Sequence, residues 1–526
     1  MESSQLENES MITRIRGLLP VIVAALAAVF LLSVIPLYFH DAFFDINRAK
    51  VSLVIMVAPY LTIAMGLALL CMPGKGEAFT GFPWLLIIPF LLFVIACIIS
   101  CSRYGFEEAV LTGSEGRYGG LYFILALAAI FFVIVLGRGG GVVPIACFLV
   151  SSTAIALLGC ANALGVDPLG FYENMYEDQI TVFMSTIGHF DFYGTVLLLP
   201  AAVAYGISVK GRRFLVRLAA CLCAAVLTVG AYAARTDSVW ICLGMAGFAL
   251  FFLSGEKWRY MSRALLMLAV MLILFPVTTY IIRTYTTHKL EFSGMYEWFT
   301  VRKGCEIAVV LCILAFICIM LERHEVTAPG YRRLALIGLI IFLVAALVLT
   351  GVVVYATRTE SDTALFGFAP AFRMNDDFGN RRGYIWIRAI RAFDSFSPQT
   401  KFFGQGLELT MRITRPFIEN VEEEQLSGGT YNDTHCQPLQ LLLTCGIFGV
   451  TAFMLHFIFV MLSLRRHAEE DPVMSGIAVS VFTYLGIMLI NVTQPILLVI
   501  YFGMCAVGIA RIARKRNREM LGQVKG

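Results

Sequence analysis

The charged and polar residues able to do chemistry in this chain are few, and most stand at the edges of long apolar runs. Arg117 precedes the run 120–137, His189 and Asp191 precede 193–209, and Arg235 precedes the run 237–254, which Asp237 opens. Arg381 and Arg382 lie in the hydrophilic stretch 356–436. Asp433 and His435 close that stretch just before the run 437–463. An arginine at such an edge is ordinarily an anchor that snorkels to lipid headgroups. Its planar fork also binds phosphate oxygens bidentately and stays charged. A histidine at the mouth of a span is ordinarily a loop residue. Beside a carboxylate that orients it, a histidine can also take a proton.

The elements that must position these groups follow from composition. Of the 526 residues, 59% are hydrophobic and 14% charged, against about a quarter charged in a soluble domain. The deficit fits a chain whose main solvent is lipid. The net charge of +4 is too small to argue for a nucleic-acid partner. The 14 cysteines form no disulfide framework: Cys71, Cys97, Cys147, Cys221, Cys223, Cys242, Cys312, Cys318 and Cys505 lie inside apolar runs, where a thiol behaves as a small hydrophobe. No C-x-x-C or H-E-x-x-H pattern suggests a metal site, and no cofactor is expected.

A helix needs about 20 apolar residues to cross a bilayer. The apolar runs are 18–39, 51–72, 82–100, 120–137, 142–160, 193–209, 214–234, 237–254, 261–282, 304–321, 333–355, 437–463, 473–492 and 495–513. The expected fold is therefore all-α, a polytopic transmembrane helical bundle of about 12–14 spans. The first run has no clear cleavage site and reads as a retained helix. The chain divides into N-terminal transmembrane helices (1–355), a large extracytoplasmic loop containing short helices (356–436), and C-terminal transmembrane helices with a basic cytoplasmic tail (437–526).

Lys and Arg in short loops set orientation. With the N-terminus inside, every even-numbered loop is basic at or near its ends: Lys75; Arg138; Lys210, Arg212 and Arg213; Lys257, Arg259 and Arg263; Arg323, Arg332 and Arg333; Arg465 and Arg466. The tail carries Arg511, Arg514, Lys515, Arg516 and Arg518, and both termini are expected in the cytoplasm. The outer loop 161–192 has acids and no Lys or Arg. Arg48 and Lys50, Arg103 and Arg117 run against the rule. So do Arg283, Lys289, Arg302 and Lys303 in segment 283–303. Either a span is miscounted there, or that segment faces an anionic ligand. In 381–396, Ile385, Ile390 and Phe393, with Trp386 and Ala389, recur at about helical spacing, and Gly404 and Gly406 break the pattern. The acidic run Glu419 and Glu422–Glu424 reads as a solvated face, and Asn432-Asp433-Thr434 as a weak glycosylation match.

Four patterns in order, all on the outer side, resemble the O-antigen ligase family of membrane glycosyltransferases. Gly113-Ser114-Glu115-Gly116-Arg117-Tyr118-Gly119-Gly120 resembles the family's G-S-x-x-R-x-x-G loop. Ser185 to Gly194, with Pro200 after it, resembles a G-N-x-N-F pattern in which His189 and Asp191 replace asparagine. Ala234-Arg235-Thr236-Asp237-Ser238-Val239-Trp240 resembles an S-R-x-A-W or T-R-S-x-W pattern. Its register is open by two residues, and Arg235 is favoured over Asp237 because only it can bind an anion. Arg382-Gly383-Tyr384-Ile385-Trp386 and Gly404-Gln405-Gly406 resemble an R-x-x-x-W helix and a G-x-G turn. His435-Cys436, nine residues, then Gly446 to Gly449 resemble H-[NSQ]-x9-G-x-x-G, with Cys436 as a departure.

The resemblance implies transfer of a glycan from a polyprenyl-diphosphate donor to an acceptor hydroxyl on a lipid or polymer, at the outer face of the inner (cytoplasmic) membrane. Departure of the diphosphate develops negative charge, which preorganised cations stabilise. It places Arg235 and Arg382 in the catalytic set and Arg117 and Arg381 beside the substrate, without a metal. His435 then becomes the base for the acceptor hydroxyl, with Asp433 orienting it. His189 and Asp191 are expected to contact substrate, and membrane lipids surround the whole. Gly446 and Gly449 read as close-packing positions between helices. A polymerase of lipid-linked repeat units uses the same donor and is not separated by these motifs. A flippase for lipid-linked sugars would show two similar halves and mid-membrane polar groups, neither of which the sequence displays. A cell-wall glycan polymerase of the shape, elongation and division type shares only the polytopic character.

Overall fold

The computed structural model describes residues 2–72, 81–286, 301–359, 372–376, 378–418, 433–491 and 494–524, together with Tyr296 and Leu365. Lys75, Lys289, the acidic run at 419–424 and Asn432 lie outside these residues. A backbone amide in hydrocarbon has no water to bond, so each apolar run closes its hydrogen bonds within one helix. Among the described residues, twelve helices are long and apolar enough to cross a membrane. Leu121–Leu136 and Asp237–Leu253 are shorter apolar helices. Together they match the fourteen runs one for one, and the chain is an all-α polytopic bundle.

The helix Phe190–Lys210 runs up the middle and is buried along almost its whole length. The helices Pro472–Ile490 and Pro495–Val524 are buried beside it. Small residues allow this closeness. A Cβ on Gly206 would stand 2.5 Å from the backbone of Gly476. Outer helices keep large apolar side chains exposed, among them Ile313 and Phe316 of Val301–Arg323 and Leu347 and Val348 of Tyr331–Arg358. Such a surface suits lipid and not water.

Loops meet in two sets, as alternate crossing demands. At one end Arg511 donates to the Gly140 carbonyl and pairs with Asp471. There also Lys210 bonds Glu256 at 2.6 Å and the Ala468 carbonyl at 3.0 Å, and Trp258 donates to the Val326 carbonyl. At the other end Asn47 donates to the Gly116 carbonyl, Arg235 to the Thr181 carbonyl, Arg382 to the Ile490 carbonyl and Tyr296 to the Tyr232 carbonyl. Each of these contacts joins even loops to even, or odd to odd. The helices Trp258–Tyr285 and Val301–Arg323 pack as a pair, and most of segment 283–303 between them lies outside the described residues. There Arg302 is exposed and pairs with Glu306 one turn on.

The hydrophilic stretch contains the helices Phe378–Ser395, Pro398–Phe403 and Thr410–Thr414. The first buries Ile385, Arg388, Ala389 and Ala392, whereas Ile390 is exposed. The inward stripe thus includes an arginine, and Ile390 is not part of it. Arg388 stays inside because Asp376 pairs with it at 2.5 Å and the Tyr384 ring lies 3.6 Å away.

Candidate functional site

Three segments meet at the odd-loop end: the turn Gly113–Gly120, the Gly404–Glu408 turn and the approach to the helix Gln437–His467. Gly446 breaks that last helix with a φ of +69°. The break leaves carbonyls unpaired within the helix, and the Gly404–Gly406 turn takes them. Gln405 donates to the Leu443 carbonyl at 3.2 Å and Gly406 to the Thr444 carbonyl at 3.0 Å. Ser100, one helix away, accepts from the Gly406 amide at 2.8 Å. A Cβ on Gly446 would lie 2.3 Å from the Phe402 carbonyl, and one on Gly404 2.2 Å from that of Thr444. These glycines are obligatory close approaches, in line with the packing role expected for Gly446.

That clip fixes the residues just before the helix. Asp433 is fully buried and pairs with Arg117 through Oδ2. Its Oδ1 accepts the backbone N–H of His435 at 2.5 Å. The carboxylate therefore shapes the backbone under His435, while the imidazole Nδ1 is buried and has no hydrogen-bond partner among the described residues. This departs from the expected ring-to-carboxylate bond: Asp433 has both oxygens engaged elsewhere. Trp386 donates to the Thr434 carbonyl at 2.7 Å, and Gln440 accepts the Thr434 N–H at 3.2 Å. His435 has a φ of +53°, a conformation held at a cost by its surroundings. Burial lowers its pKa, Asp433 opposes the shift, and the Arg382 and Arg117 charges reinforce it.

A second group adjoins it. Asp191, in the first turn of the central helix, accepts from the Ser238 hydroxyl at 3.2 Å. His189 caps that helix, accepting the Asp191 N–H at Nδ1 over 3.3 Å, with its ring stacked on Phe190 at 4.5 Å. Two-residue strands Phe183–Met184 and Gly188–His189 hold this turn. Burial lowers the His189 pKa against the pull of Asp191. Arg235 is buried, with a φ of +60°. Its guanidinium lies 5.7 Å from the Phe190 ring and donates to the Thr181 carbonyl at 3.2 Å, leaving Nε without a partner among the described residues. Burial pulls its pKa down to about 10, so it stays charged at neutral pH.

Arg382 joins the two groups. Its Nε donates to the Ile490 carbonyl at 3.1 Å and one terminal nitrogen to Gly379 at 2.8 Å. Its charge is felt by His435 on one side, and on the other it feels Asp191 and Asp237. The structure therefore brings His435, Asp433, Arg117, Arg382, Asp191 and His189 to one end of the bundle, with Arg235 beside Phe190. Arg381 is exposed and is not drawn in with Arg382.

Sequence reasoning missed Glu408 and Asn491. Glu408 accepts from the Ser114 hydroxyl at 2.9 Å, and a Cβ on Gly119 would fall 2.7 Å from its Oε1. Burial raises its pKa; Arg117 and Ser114 oppose this and Asp433 adds to it. Its signal was a lone acid two residues beyond the G-x-G turn. Asn491 donates to Thr195 at 3.3 Å and to the Asp191 carbonyl at 3.5 Å. Its signal was an amide at the end of an apolar run.

Residues 299–454 match the family model described as O-Antigen ligase. The match spans Arg382, Glu408, Asp433 and His435 and ends before the Arg465-Arg466 pair; Arg117, His189, Asp191 and Arg235 lie upstream of it. No curated protein matches the chain.

Proposed function

From this O-antigen ligase family assignment over residues 299–454, we propose that the protein transfers a glycan from a polyprenyl-diphosphate donor to a hydroxyl of a lipid or polymer acceptor. The odd-loop end would face outward from the cytoplasmic membrane, with both termini in the cytoplasm. The acceptor oxygen bonds to the anomeric carbon as the bond from that carbon to the phosphate oxygen breaks. The hydroxyl proton passes to the His435 imidazole, and the polyprenyl diphosphate leaves with the bonding pair. Arg382 and Arg235 meet the charge that develops on it, and Arg117 holds the loop under His435.

The observation that carries this reading is the state of His435. Burial and the Arg382 and Arg117 charges lower its pKa, and its Nδ1 has no hydrogen-bond partner among the described residues. A base and a cation side by side suit a step that takes a proton at one atom and releases an anion at another. The test is transfer from a labelled polyprenyl-diphosphate oligosaccharide to a co-reconstituted glycolipid acceptor in liposomes. Acceptor extension with release of free polyprenyl diphosphate supports the reading. Movement of intact donor across the bilayer without bond cleavage would replace it with transport.

A further inference from the structure

At the opposite end of the bundle from His435, the last turn of Phe190–Lys210 and the first turns of Phe214–Ala233 and Trp258–Tyr285 leave a groove of about 260 Å³. Its apolar wall includes Phe214, Leu218, Cys221 and Leu266, and Phe214, Leu218 and Leu266 are exposed to the lipid side. At its mouth stand Arg217 and Arg263. Arg263 is fixed there by donating to the Val209 carbonyl at 3.0 Å. Arg217 lies 5.9 Å from the Phe214 ring. Arg217 and Arg259 are near enough to Arg263 to repel it.

Cations outnumber acids here. Lys257, Arg259 and Arg263 lie within 6 Å of the Tyr260 ring, at 5.9, 5.3 and 5.9 Å. The facing acid is Glu322, whose carboxylate already accepts the backbone N–H of Arg259 at 3.2 Å. Lys210 is taken by Glu256. Arginines that merely snorkel can spread apart toward separate headgroups. Here Arg263 is pinned and Arg217 sits over the same groove, so like charges are kept together above an apolar slot.

We propose that this groove binds an anionic glycerophospholipid, its phosphate between Arg217 and Arg263 and an acyl chain along Phe214, Leu218 and Leu266. Basic pockets between helices at one membrane face are the sites where acidic lipid headgroups settle. The forked guanidinium gives two bonds per arginine to the phosphate. The groove is remote from His435, and the proposal stands independently of the transfer reaction.

The experiment uses the full-length protein purified in neutral detergent. Native mass spectrometry and thermal unfolding are followed on adding phosphatidylglycerol, phosphatidylcholine or inorganic phosphate. Phosphatidylglycerol is expected to stay bound and raise the unfolding temperature, while the other two do neither. Arg217→Gln is expected to weaken phosphatidylglycerol binding about fivefold, the worth of one basic residue near a lipid surface. Leu218→Trp, at an exposed position, fills the slot with the arginines intact and is expected to abolish retention. Equal retention of phosphatidylcholine, a shift produced by phosphate alone, or undiminished binding in Leu218→Trp would overturn the proposal.

Discussion

Arg117 and Asp433, 316 positions apart in the chain, form one buried ion pair at the mouth of the helix Gln437–His467. The pair ties the Gly113–Gly120 turn to the residue that also holds the His435 backbone. Breaking a buried pair from one side leaves a charge with no partner and costs about 3–5 kcal/mol, while apolar replacement of both is often neutral. Arg117→Met or Asp433→Leu alone is therefore expected to lower stability by about that amount. The double variant is expected to recover most of it. Thermal unfolding of the three purified variants checks this; a double variant as unstable as the singles would show that the pair does more than offset its own burial.

Glu408 gives a pH prediction. Burial raises its folded pKa above the ordinary 4.5. The folded state therefore holds this proton more tightly than the unfolded chain. Its contribution to stability is complete below 4.5 and fades as pH rises through the raised value. Glu408→Gln keeps an acceptor for Ser114 without the ionisation. The variant is expected to gain on the wild type as pH is raised from 4.5 toward neutrality. Unfolding temperatures across that range check it, and parallel curves for both proteins would contradict it.

As the proposed base, His435 would set the acid limit of activity. Its pKa lies below the ordinary 6.5, first through burial and then through Arg382 and Arg117. A base works only when unprotonated, so the acid fall in transfer rate is expected at a lower pH than an ordinary histidine would set. Arg382→Gln removes one repelling charge and is expected to move that fall upward in pH, besides slowing the reaction. Measuring rate against pH in both proteins checks the shift; an unmoved or lowered limb in Arg382→Gln would count against the electrostatic link.

Much of the architecture was readable because lipid imposes one rule on every span. A run of apolar residues has to close its own hydrogen bonds, and all fourteen runs do so as helices. The common side expected of the pattern residues is also seen, since Arg117, His189, Asp191, Arg382 and His435 gather at one end; their roles are proposals. The hidden part depends on which atoms face which. Nothing in the spacing of Asp433 and His435 says that the carboxylate takes the backbone N–H and Arg117 instead of the ring. Arg381 and Arg382 are neighbours in sequence, yet Arg381, at a φ of +65°, is exposed and Arg382 reaches Ile490. Ile390 fitted an apolar period, but the helix Phe378–Ser395 turns Arg388 inward because Asp376 neutralises it. Glu408 was invisible because its partners, Ser114 and Gly119, come from a turn far away in the chain.

The grouping of loops into two sets leaves one question of direction, for which the basic residues give an expectation. Arg465, Arg466, Arg511, Arg514 and Lys515 lie at the end away from His435, and the proposed orientation puts that end in the cytoplasm because basic residues favour that side. A periplasm-active reporter fused at residue 425 is expected to score outside, and one fused after residue 518 to score inside. Cytoplasmic reporting from residue 425 would invert the scheme and remove the outer-face site.

The central claim is that His435 takes the acceptor proton while arginines, without a metal ion, carry the departing diphosphate. Single-turnover transfer from purified lipid-linked donor, in wild type and in His435→Ala, tests it most directly, with each reaction run with and without EDTA. Loss of a general base costs about 10²–10⁴-fold in rate. The expected result is a loss of that size in His435→Ala with donor binding unchanged, and full wild-type activity in EDTA. Wild-type rates in His435→Ala, or activity abolished by EDTA and restored by magnesium or manganese, would contradict the account.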